Sequence, residues 1–298
     1  MMAHYTTNEV QSAFWQALQD VHGQRAPYPV PDGQIRRFRG EGDKAGARNC
    51  WYVLHMDGRP RGCFGSWRTG QTEVWAAGAS TDPIHRTELR KAAAEAKRIR
   101  DAETARRQHA AAMRAGELWE LARPADAAHP YLVAKGCEPH HLRQRGDLLL
   151  VPLLVAGCLV NIQTINRQGF KLFNTGGRVK GAGAYFGTIE DGQTVYVCEG
   201  WATGATLHES TGCAVVAAMN AGNLLAVGLE VQRRHPAAVL VIACDDDRKT
   251  TGNPGITAGN EAARALGVGA IKPDWPQGAP EHLSDFNDLR QFMLEARQ

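Results

Sequence analysis

An α/β fold with a mainly parallel sheet is predicted for the carboxyl-terminal third of this sequence, and three observations carry the prediction. Short apolar runs rich in β-branched residues recur, such as Val195-Tyr196-Val197-Cys198 and Val239-Leu240-Val241-Ile242-Ala243-Cys244. Amphipathic stretches of helical length separate them, and acidic residues stand where two of the runs end. Such runs read as strands buried on both faces, and strand alternating with helix predicts right-handed crossovers. After the Asp191-Gly192 turn, the expected order is strand 194–198, helix 202–210, strand 213–218, helix 222–234, strand 238–244, helix 255–266 and a last strand near 268–272.

The preceding residues divide differently. Residues 7–22 place Val10, Phe14, Leu18 and Val21 on one helical face, with Thr7 or Asn8 as the cap. Ile35–Arg39, Cys50–Met56 and Gly62–Trp67, with a turn at Asp57-Gly58, predict a small antiparallel sheet. Residues 1–80 are thus expected to form a small α+β module and residues 81–127 a charged helical linker starting at Asp82-Pro83. Between His85 and His109 the linker carries eight Lys or Arg and four Asp or Glu, so it cannot be deeply buried throughout. Leu148–Leu154, Leu159–Ile165 and a Gln168-Gly169 turn predict a small β-rich subdomain over 128–190, and the parallel sheet fills 191–298.

Composition excludes several classes. The 298 residues are 43% hydrophobic, enough for a core. With 34 Lys and Arg against 31 Asp and Glu the net charge is +3, so nucleic-acid binding would need local clustering. Seven cysteines include no CxxC pair, and His140-His141 lack ligands at zinc spacing and read as surface residues; no zinc is expected. The first residues lack a signal-peptide pattern, and the longest apolar stretch, Leu148–Val160, is too short for a bilayer; the expectation is cytoplasmic, with no membrane partner. In 1–80, aromatics from Phe38 to Trp75 interleave with Arg36, Arg37, Arg39, Arg48, Arg59, Arg61 and Arg68. They read either as a β core with a solvated basic face, the better reading, or as a stacking surface for single-stranded nucleic acid.

Chemistry concentrates at three acids. Glu199 follows one strand; period-two alternation puts Asp245 and Asp247 on one side of the end of another and Asp246 on the opposite side. Carboxylates so gathered repel one another, and a hard divalent cation relieves the repulsion; Mg²⁺ needs only one or two of them besides substrate phosphates. Gly200 permits close approach to Glu199, though a carboxylate here could also cap the next helix. Lys171 and the glycine-rich stretch Gly176–Gly183 with Arg178 and Lys180 can meet phosphate oxygens, or be a solvated hairpin. Asp285, Asn287 and Asp288 precede a final helix, where aspartate caps. Gly200–Thr206 lacks the Gly-Lys-Ser/Thr ending of a Walker A loop, which excludes an ATPase motor there.

The order of Lys171-Leu172-Phe173, Gly176-Gly177-Arg178-Val179-Lys180-Gly181, Glu199-Gly200-Trp201-Ala202-Thr203-Gly204-Ala205, Asp245-x-Asp247 and Ser284-Asp285-Phe286-Asn287-Asp288 resembles the Toprim primases of plasmids and phages over about residues 128–298. The resemblance implies a Toprim domain at 191–298 behind the amino-terminal part of a primase core, with Glu199, Asp245 and Asp247 as catalytic metal ligands for Mg²⁺ or Mn²⁺. It implies Lys171, Arg178, Lys180 and Gly200 on the substrate, with Asp285, Asn287 and Asp288 as auxiliaries. The activity expected is synthesis of short RNA primers from ribonucleoside triphosphates on single-stranded DNA, with a separate replicative helicase as a partner. Two alternatives stay open, a metal-dependent Toprim nuclease and a non-catalytic nucleic-acid-binding accessory protein of a mobile element.

Overall fold

The computed structural model of the protein describes residues 5–78 and 83–296; Asp82, where the linker helix was expected to start, lies outside the described residues. The chain divides into two compact units, Met1–Ala105 and Arg106–Gln298.

In the first unit, helix α1 (Thr7–His22) packs on an antiparallel sheet of β1 (Arg36–Phe38), β2 (Cys50–His55), β3 (Arg61–Ser66) and β4 (Thr72–Ala76), in that order. The cap is Thr6, not Thr7 or Asn8, because Glu9 completes a reciprocal pair with it: Thr6 N–H donates to the Glu9 carboxylate at 3.0 Å, and Glu9 N–H donates to the Thr6 hydroxyl at 3.4 Å. Val10, Phe14, Leu18 and His22 form the buried stripe. Val21, expected on it, is 46% exposed; His22 takes its place by packing edge-on against Phe38 and Phe64. Phe38, Trp51, Tyr52 and Phe64 are all buried. The Arg37 guanidinium lies 4.3 Å from the Trp67 ring centroid, and that of Arg100 lies 4.4 Å from Trp51. Most of these aromatics therefore belong to the module's own core, while Arg37 and Arg100 stack on tryptophan rings.

Helix α2 (Pro83–Glu120) is continuous, and its last turns belong to the second unit. Ala115, Leu118 and Trp119 there pack on Leu150 and Ile162 of an antiparallel sheet ordered β5 (Arg123–Pro124), β6 (Arg143–Arg145), β7 (Leu148–Val155), β8 (Cys158–Ile165) and β9 (Lys171–Phe173). Helix α3 (Pro130–Lys135) lies between β5 and β6 in sequence. Ala156 and Gly157, at φ 55° and 78°, make the tight turn between β7 and β8.

The second sheet comprises β10 (Ala184–Phe186), β11 (Thr194–Cys198), β12 (Ala214–Ala217), β13 (Val239–Ala243) and β14 (Gly269–Ile271), in the order β10-β12-β11-β13-β14. All pairings are parallel except β10 with β12. Helices α4 (Trp201–Thr211), α5 (Leu224–Arg234), α6 (Pro254–Leu266) and α7 (Phe286–Glu295) cover it. Val195, Val197, Leu240 and Ile242 meet Leu224, Val227, Val231 and Leu266 on one face, while Cys198, Val215 and Ala217 meet Trp201 and Ala205 on the other. Burial on both faces is why these strands lack polar alternation. The sequence gives no sign of β10, whose three residues are too short to show a period. Among the described residues no helix is long and apolar enough to cross a membrane.

Candidate active site

β11 and β13 are adjacent and parallel, with Cys198 opposite Ala243, so Glu199 and the Asp245–Asp247 segment leave the sheet together. Carboxyl ends of neighbouring strands at a change of strand order form the crevice where such sheets bind ligands.

The acids there share one field. Burial, then Asp285, Glu199 and Asp247, push the Asp245 carboxyl up to about 8, with Lys171 opposing. Its Oδ1 is buried without a hydrogen-bond partner. Glu199 is raised as well, first by burial and then by Asp247, although the Ala221 N–H and Lys171 favour its charge. Asp285 is raised by burial and by Asp288. Desolvated carboxyl groups that repel one another favour protonation until a cation intervenes. Glu199, Asp245 and Asp247 are thus brought together, and Asp285 joins them.

Asp246 points away from that field. It accepts from Asn253 Nδ2 at 2.7 Å, Trp275 Nε1 at 3.1 Å and Lys272 Nζ at 3.3 Å. Burial works to raise it, but these donors hold it below its ordinary value. Asp247 has a second role, since its Oδ2 accepts from Gly255 N–H at 3.0 Å in the first turn of α6. Gly200 sits at φ −98° ahead of α4, and a Cβ there would meet only Thr203 Oγ1 at 3.5 Å. That φ suits any residue, so the backbone conformation here does not require glycine.

The basic residues separate into two sets. Lys171 is exposed to solvent yet surrounded by protein, as befits a cleft; burial first and then Lys135 lower it, while Asp285, Asp245 and Glu199 favour its charge. Arg178 and Lys180 lie on the glycine-rich stretch, where Arg178 Nε donates to the Lys180 carbonyl at 3.0 Å and the nearby Arg178 charge helps hold Glu230 low. Lys135, which the sequence reading passed over, ends α3 with its Nζ 3.5 Å from Asp288 Oδ1. The signal was a lysine just before Gly136, but nothing in the local pattern points toward residues 150 positions away.

The residues of the last triplet also hold structure. Asp285 caps α7 by accepting from Asp288 N–H at 2.8 Å, and Asp288 Oδ2 accepts from Ser284 N–H at 3.0 Å. Asn287 is fully buried and donates to the Lys135 carbonyl at 2.7 Å and to Thr206 Oγ1 at 2.9 Å, tying α7 to α3 and α4. His140, expected at the surface, is half-buried: it meets Glu209 Oε1 at 2.8 Å and packs edge-on against Phe186.

Among the described residues no group of three or more His, Cys, Asp or Glu stands placed to hold a metal ion. A Mg²⁺ site that draws the rest of its shell from water and substrate phosphates does not require one. The unpartnered Oδ1 of Asp245, amid oxygens that raise one another's affinity for positive charge, fits a hard divalent cation.

A mainly parallel sheet covered by helices, with acids gathered at neighbouring strand ends, defines an α/β domain with an acidic crevice. Residues 194–295 match the family model of the Toprim domain, and this part of the chain is a Toprim domain. The chain is 37% identical over 264 residues to a DNA primase TraC of Escherichia coli, covering 84% of this chain and 25% of that one. A second DNA primase TraC of Escherichia coli is 32% identical over 258 residues, covering 83% and 18%. The chain therefore spans a quarter or less of the length of these curated relatives. The catalytic domain of the DnaG primase bound to single-stranded DNA is similar at a TM-score of 0.42 and 13% identity, over 66% of this chain and 79% of that one. A chain from the bacteriophage T7 lagging-strand polymerase complex with primase domains is similar at 0.36 and 15%, over 53% and 81%.

Proposed function

We propose that the second unit is a primase-type nucleotidyltransferase, joining ribonucleotides on a single-stranded DNA template. The observation that carries it is Asp245, a half-buried residue whose buried Oδ1 has no hydrogen-bond partner and which lies in the field of three other acids and a lysine. Asp245, with Glu199 or Asp247, would hold Mg²⁺ or Mn²⁺, which when bound lowers the pKa of an attacking hydroxyl and neutralises phosphate charge.

The chain's own groups supply the rest. Glu199, raised from its ordinary value by burial and then by Asp247, is suited to receive the proton of the primer's 3′ hydroxyl. That oxygen bonds to the α-phosphorus of the incoming triphosphate as the bond to pyrophosphate breaks. Lys171 holds phosphate oxygens inside the crevice, and Arg178 and Lys180 hold the outer phosphates. A separate helicase would open the duplex.

The test combines purified protein, single-stranded DNA, labelled ribonucleotides and Mg²⁺ or Mn²⁺. New RNA that vanishes in Asp245→Asn is the expected result. Shortened DNA would instead make the protein a nuclease, and binding without either product would make it an accessory.

A further inference from the structure

Asn223 closes the 3-10 turn Ala221–Asn223 ahead of α5 and is 3% exposed. It occupies the capping position of α5 yet makes no side-chain cap bond there. Its amide reaches across to other segments. Oδ1 accepts from Gly181 N–H at 2.8 Å; Nδ2 donates to the carbonyls of Val179 and Ala182 at 3.0 Å each and of Ala218 at 2.8 Å. A reversed amide would set an oxygen against three carbonyl oxygens, which fixes its orientation.

Three of these partners belong to the glycine-rich stretch that carries Arg178 and Lys180. The fourth, Ala218, follows β12, and its N–H donates at 2.8 Å to the carbonyl of Cys198, the residue before Glu199. The same turn gives the Glu199 carboxylate the Ala221 N–H. Met219, two residues before that turn, sits at φ 68°, a conformation that non-glycine residues keep only where the surroundings impose it. One buried amide thus joins the basic loop to the strand end that bears an acid of the site.

We propose that Asn223 is a positioning residue: it fixes the loop carrying Arg178 and Lys180 relative to Glu199, so that one triphosphate can be held from both sides. The nucleotide part of this rests on the primase reading; the anchoring of the loop does not. Removing the amide leaves buried carbonyls unpaired and frees the loop to move.

Asn223→Ala is examined by two readouts. In the substrate-free protein, amide hydrogen exchange over 179–183 should accelerate about tenfold or more while β13 and α6 keep their rates. In primer synthesis, the ribonucleotide KM should rise about tenfold with little change in kcat, and most of that rise should disappear in an Arg178→Ala/Lys180→Ala background. Unchanged exchange over 179–183, a uniform increase across the whole unit, or a KM effect that adds fully to the loop substitutions overturns the proposal. If the wild-type protein makes no RNA, the primase reading fails while the exchange measurement still decides the role of Asn223. Should Asn223→Ala not fold, Asn223→Ser, which keeps one donor and one acceptor in the space, is read by the same criteria.

Discussion

Asp245 and Asp246 are consecutive in the chain and live in opposite surroundings. Asp246 is buried, charged and satisfied by an asparagine, a tryptophan and a lysine. Asp245 is half-buried, raised to about 8 and carries a buried oxygen with no hydrogen-bond partner. Asp246 joins the loop after β13 to the segment before α7, as its N–H donation to the Ser284 carbonyl at 2.6 Å also shows. The contrast teaches that one strand end can hold a satisfied carboxylate and an unsatisfied one side by side. Local polar satisfaction marks structure, and on the proposed function its lack at Asp245 marks the reactive side.

The comparison breaks most visibly in activity. Asp245→Asn should reduce primer synthesis more than about a hundredfold, because several kcal/mol of charge stabilisation depend on that ligand. The same substitution should raise the melting temperature of the metal-free protein at pH 7.5, since it removes a buried source of repulsion. A variant that is active, or less stable without metal, contradicts the account.

The pH dependence sharpens it. The folded Asp245 carboxyl titrates near 8 against an ordinary value of 3.8, so the folded state holds the proton more tightly. Its stabilising contribution is complete below about 3.8 and is lost as pH rises to about 8. In EDTA, melting temperature should fall over that window more steeply for the wild type than for Asp245→Asn. Mg²⁺ or Mn²⁺ should restore more stability at pH 8 than at pH 5. Equal slopes in the two proteins would place the titration elsewhere.

Asp246→Ala tests the structural side. It strands Asn253, Trp275 and Lys272 and should cost about 1–3 kcal/mol in denaturant unfolding, with nucleotide KM little changed in the protein that remains folded. The smallest effect expected is that of Lys180→Ala, which should raise nucleotide KM about tenfold and leave stability as it was. Strong loss of DNA affinity with an unchanged KM would make Lys180 a template contact.

Much of this contrast was legible in the sequence. Period two separates Asp246 from its neighbours, and the apolar strands 194–198 and 239–243 announce where the acids emerge. Strand order was not legible, yet β13 beside β11 is what brings Asp245 to Glu199. Lys135 and Asn223 were passed over for the same reason, because their partners lie far along the chain and local spacing holds no trace of them. β10 escaped for want of length, and Val21 yielded its place to His22 because ring packing against Phe38 and Phe64 outweighs a polar label.

A crystal structure with Mn²⁺, located by anomalous scattering, tests the central claim most directly. The account predicts an ion bonded to Asp245 together with Glu199 or Asp247, at oxygen distances of about 2.0–2.6 Å. An ion held elsewhere, or an Asp245 carboxyl left unbonded at saturating Mn²⁺, would contradict it.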